Sequence, residues 1–127
     1  MKIRSVQAPG APQATGNYSQ ALEISGSERL LFVSGQIPET ADGELPADFA
    51  GQCRLVWSNV EAQLRAAGMS LDNLVKVTTF LSDRRYGPEN GAIRQQVLGD
   101  RRPALTVIVA GIYEERWFLE IEAIAAV

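Results

Sequence analysis

The chain contains no histidine. That absence removes Ser-His-Asp and Cys-His nucleophilic catalysis, histidine-ligated metal centres and the usual proton shuttle near neutral pH. Cysteine is almost as scarce: Cys53 stands alone among 127 residues. With one thiol there is no internal disulfide and no thiolate-rich zinc or iron–sulfur cage, and a reducing compartment suits the chain best. No apolar run approaches the roughly 18 residues that a bilayer span requires. The opening stretch, Met1-Lys2-Ile3-Arg4 followed by Ser5-Val6-Gln7-Ala8-Pro9-Gly10, lacks the apolar core of a signal peptide. A cytoplasmic protein away from the membrane is expected. Excess positive charge is missing too. At a net charge of −3 the chain exerts no global attraction on phosphate backbones, although Arg84, Arg85, Arg94, Arg101 and Arg102 lie close together in sequence. Nucleic acid is disfavoured as a partner, and no metal or organic cofactor is expected.

What is present reads as one domain over residues 1–127, with 46% hydrophobic and 21% charged residues and no repeat, low-complexity tract or linker. Arg29 to Gly35 predicts a buried strand, preceded by a weaker one from Tyr18 to Ile24, and Ser25-Gly26-Ser27 between them suggests a hairpin. Phe49, Cys53, Val56, Trp57, Val60, Leu64 and Ala67 recur at steps of three and four, predicting a helix from Asp48 to Ala67 that Gly68 ends. On that stripe Cys53 is a small core residue and Trp57 belongs to the core. Leu74 to Leu81 is a β-branched strand, Pro88 to Leu98 a second helix, and Ala104 to Ala110 and Trp117 to Ala126 are two more strands. The order β-β-α-β-α-β-β implies an α+β fold, a mixed sheet with both helices on one face. Nothing in the chain is left to cover the other face, which points to a homo-oligomer.

Two acids interrupt the last strand. Side chains alternate along a strand, so Glu120 and Glu122 share a face. They are either solvated and paired, with Arg116 or Lys76 as partners, or one of them sits in a cleft and activates a water with its pKa raised by burial. In a chain without histidine, glutamate is the natural general base. Asn17-Tyr18-Ser19-Gln20-Ala21 and Ser34-Gly35-Gln36-Ile37-Pro38 place small polar residues and a tyrosine at strand ends, where they can line a pocket or serve only as turns.

These motifs, with Gln52, Asn59-Val60, Ala66-Ala67-Gly68, Val75-Lys76-Val77-Thr78, Phe80-Leu81, Asn90, Arg102-Pro103-Ala104 and Glu120-Ile121-Glu122-Ala123-Ile124-Ala125, follow an order and spacing that resembles the RidA/YjgF family. The resemblance spans essentially the whole chain. It implies a chorismate-mutase-like fold and a homotrimer with small-molecule clefts between subunits. In the best-known members it implies hydrolysis of 2-enamine and 2-imine acids to 2-oxo acids and ammonia. By the same resemblance Glu120 holds the attacking water, Tyr18 lines the pocket, Ser34 and Gly35 offer polar or backbone contacts, and Asn90 enters the cleft from the second helix.

The deaminases of that family carry an arginine after the Pro-Ala pair, which grips the substrate carboxylate. Here that residue is Leu105, followed by Thr106 and Val107, and the leucine supplies neither charge nor a bidentate fork. Arg101 shares strand parity with position 105 but lies about 13 Å away along an extended chain, and Arg116 stands equally far before Glu120. Neither reaches, so a replacement from within the chain is not expected. Three functions compete: a Glu120-dependent hydrolase acting on an imine or related electrophile, a metabolite-binding trimer without turnover, and a ribonuclease or translation inhibitor, which the acidic balance disfavours.

Overall fold

Helix α1, Phe49–Ala66, forms where the apolar stripe is longest. Asp48 caps it by accepting the Gly51 N–H, and Phe49, Cys53, Val56, Trp57, Val60 and Leu64 are all buried along one side. The helix stops at Gly68, whose φ of +71° is the left-handed turn that other residues resist. The computed structural model describes residues 1–127. Its strands are β1 Lys2–Val6, β2 Ala21–Ser25, β3 Leu30–Gln36, β4 Leu74–Leu81, β5 Ala104–Val109 and β6 Leu119–Ala126, with a second helix, α2, at Gly87–Leu98.

Strands β3, β6, β4 and β5 form a sheet in that order. Only β4 and β5 run parallel, because α2 carries the chain between them. Strand β6 lies inside the sheet between β3 and β4. Its odd residues, Leu119, Ile121, Ala123 and Ala125, are at most 4% exposed and meet α1 in a core that also takes in Val77, Leu81, Ile93 and Leu98. The even residues Glu120, Glu122 and Ile124 turn to the opposite face. Both helices pack on one side, giving the α+β architecture expected.

The hairpin expected between the first two strands does not form. Ala21–Ser25 pairs instead with Lys2–Val6, while Leu30–Gln36 pairs with β6. The physical reason is the core: β3 and β6 both contribute to it, whereas β2 is mostly exposed and shares no apolar layer with β3. Strand β1 was not expected, because Lys2-Ile3-Arg4-Ser5-Val6 is short and largely polar. Element order is therefore β-β-β-α-β-α-β-β. The face away from the helices carries Phe32 at 70%, Leu30 at 56% and Ile108 at 44% exposure, so the sheet shows water an apolar surface on that side.

Candidate functional site

Glu120 sits on the open face beside Phe80 of β4. Across from it, β3 slips in register between Val33, which pairs with Ala123, and Gln36, which pairs with Ile121. The slip is a bulge at Ser34 and Gly35. A methyl group on Gly35 would collide with the Glu120 carboxylate, so the glycine there leaves room for the acid to lie flat on the backbone. Burial pushes the Glu120 carboxyl above its ordinary range, and the charge of Glu122 adds to the rise. Neither of the expected cationic partners is engaged with these acids. Lys76 Nζ donates to Thr106 Oγ1 at 2.6 Å, and Arg116 pairs with Glu114 at 3.5 Å. Ser34 is exposed, and its carbonyl accepts from Gln36 Nε2 at 2.9 Å.

A second group gathers on the helix side of β5. Tyr18, Gln20, Arg94, Leu105 and Val107 line a hollow of about 270 Å³. The segment that carries Tyr18 is tied down on both sides. Ser19 N–H donates to the Pro103 carbonyl at 3.1 Å and Ser19 Oγ to the Arg102 carbonyl at 2.8 Å, forming a bridge to Ala104 at the start of β5. Asn17 Nδ2 donates to Gln95 Oε1 on α2 at 3.1 Å. The Tyr18 hydroxyl accepts the Thr15 N–H at 3.2 Å, which draws the phenol below its ordinary pKa.

Within one chain these groups stay apart. Gly35 and Glu120 come together on the open face, with Ser34 adjoining at the bulge and Thr106 on the same face two strands away. Tyr18, Leu105 and Val107 come together on the other. Asn90 joins neither hollow: it is 2% exposed, and its Oδ1 lies 3.9 Å from Cys53 Sγ. Cys53 is fully buried, and burial pushes its thiol up to about 12, which removes it as a nucleophile.

The arginines in the loops before β5 and β6 behave as their reach requires. Arg101 is held by Asp72 at 2.7 Å and Arg116 by Glu114, and neither lines the hollow at Leu105. The sequence reading missed Arg94, which comes to Leu105 from α2. Its signal was available, since Asn90 and Arg94 are four apart on a helix and share a face.

A family model described as Endoribonuclease L-PSP matches residues 8–127. A RutC family protein of Aquifex aeolicus is 35% identical over 123 residues, covering 94% of each chain. Among solved structures, YyfB of Yersinia pestis, a protein of unknown function of the conserved Rid family, superposes with a TM-score of 0.85 at 25% identity over the whole of both chains. Escherichia coli TdcF, crystallised with bound serine, superposes with a TM-score of 0.73 at 33% identity over 98% of each chain. The fold, the ordered motifs and these likenesses agree that the chain belongs to the RidA/YjgF family.

Proposed function

We propose that this chain is a single RidA-like domain that assembles as a homotrimer in a reducing, cytoplasmic setting, with a small-molecule cleft at each subunit boundary. In each cleft Glu120 and Gly35 of one copy face the Tyr18, Leu105 and Val107 side of another, with Asn90 buried beneath that side on α2. Two observations support the assembly: the exposed apolar face around Phe32, and the separation of the two groups of site residues on opposite sides of one sheet. The bound serine of TdcF is a ligand of amino-acid size and supports a cleft of that scale.

The reaction class is hydrolysis of an imine or its enamine tautomer. Glu120 takes a proton from water as the water oxygen bonds to the imine carbon, and the C=N π pair moves to nitrogen. Returning that proton to the nitrogen gives the carbinolamine, and carrying the proton of its new hydroxyl to the same nitrogen, again through Glu120, lets the C–N bond break, which releases ammonia and leaves a carbonyl. The observation that carries this role is the Glu120 carboxyl, lying over Gly35 without an ion pair and raised in pKa by burial and by Glu122. A general acid–base group is most effective when its pKa approaches the working pH.

With Leu105 in place of the strand arginine, short 2-imino acids are not gripped in the family's usual way. Freshly generated 2-iminobutanoate is therefore expected to hydrolyse no faster with this protein than without it, and Leu105→Arg is expected to gain activity. The assay follows 2-oxo acid release, with Glu120→Gln as the control. A fast wild-type rate, unaffected by Glu120→Gln, would sink the proposed role.

A further inference from the structure

We propose that Arg94, entering from α2 rather than from the strand, is the anion-binding residue of this cleft, and that it selects a small carboxylate whose aliphatic part lies on Leu105 and Val107. The inference rests on the cleft proposed above and adds the ligand's charge and shape.

Arg94 differs from every other cation in the chain. Of the 12 lysines and arginines, most are held: Arg4, Arg65, Arg85, Arg101 and Arg116 by carboxylates, Arg29 by the Ala67 carbonyl, Arg54 by Gln96 and Lys76 by Thr106. Lys2, Arg84 and Arg102 have no such partner but are exposed to water. Arg94 alone is drawn half out of water with its donors unclaimed. Burial works against its charge, and the groups opposing that effect are Tyr18 at the hollow and the buried Cys53 behind it, neither of which donates or accepts a hydrogen bond with Arg94. Removing a guanidinium from water costs free energy that hydrogen bonds to an anion would offset. No carboxylate lines the hollow to do so.

The placement is rigid. Ile93 and Leu98 on the same helix are 3% and 2% exposed in the core, and Asn17 ties the Tyr18 segment to α2 through Gln95. The fork is thus carried on a helix fixed against the sheet, as a positioned binding group requires. Leu105 and Val107 form the apolar wall beside it.

The test is calorimetric titration of the full-length protein with 4-methyl-2-oxopentanoate and with its uncharged methyl ester. Arg94→Gln is expected to weaken binding of the acid by about tenfold or more, as for the loss of a charged hydrogen-bonding pair, while ester binding holds. Arg94→Lys keeps the charge without the fork and is expected to fall between the two. Lys2→Gln is expected to change neither ligand's affinity. Equal losses for acid and ester in Arg94→Gln, unchanged acid binding in that variant, or no acid binding by the wild type would each overturn the inference. The underlying cleft fails by a different readout: a monomer in sedimentation. Loss of charge selectivity in a protein that stays trimeric and still binds the ester therefore counts against Arg94 alone.

Discussion

Glu120 is a carboxylate kept where water hydrates it poorly, and its neighbours Gly35 and Glu122 offer it no positive charge. Its pKa in the folded chain is raised, so the stability it contributes is fully present below the unfolded carboxylate pKa and is lost as pH rises through the folded value. Glu120→Gln is therefore expected to melt above the wild type at neutral pH. The gap should narrow as pH falls and close below about pH 4, where the carboxyl is protonated in both states. Thermal melts across that range, at one protein concentration, measure it. An unchanged gap at every pH would mean that the effect is packing and not charge. At this scale much could be read from sequence. Glu120 was legible because an acid in an apolar strand is conspicuous and alternation fixes its face. The bulge that seats it was not, since Ser34-Gly35 reads equally well as part of a plain strand.

Among the elements, α1 and β6 are joined by one polar residue. Gln52 is 1% exposed, its Nε2 donates to the carbonyls of Pro46 and Arg116 at 3.1 and 3.0 Å, and its Oε1 accepts the Phe118 N–H at 2.7 Å. It thus holds the entry to β6 two residues before Glu120. Gln52→Ala strips partners from three part-buried backbone groups and is expected to destabilise the fold by about 2 kcal/mol, read as a lower midpoint in urea. α1 was legible almost to the residue, because a stripe at steps of three and four has one interpretation. The pairing of β3 with β6 was not, since the partners lie some ninety residues apart and local turn residues favoured the neighbour. Arg94 was legible only as a residue on the face of α2 that carries Asn90; that this face and β5 share a hollow is a property of the fold.

For the whole molecule, the question is what meets the face that the helices leave bare. Phe32, Leu30 and Ile108 stand on it, and burying a phenylalanine contributes about 1.5–3 kcal/mol. If copies of the chain meet there, Phe32→Glu places three new charges in one assembly. The variant is expected to sediment as a folded monomer with ligand affinity lost, since the proposed cleft is built from two copies. A trimer that survives Phe32→Glu would move the interface elsewhere.

Strand β6 also governs the order in which the sheet can be made. It fills the gap between β3 and β4, so until residues 119–126 are in place β3 has no neighbour in the sheet and the apolar side of α1 has little to settle on. Folding must wait for a long-range closure, which slows it relative to chains built from adjacent hairpins. The strand that carries the acid also completes the sheet, so no partly folded form of this chain sets Glu120 against Gly35.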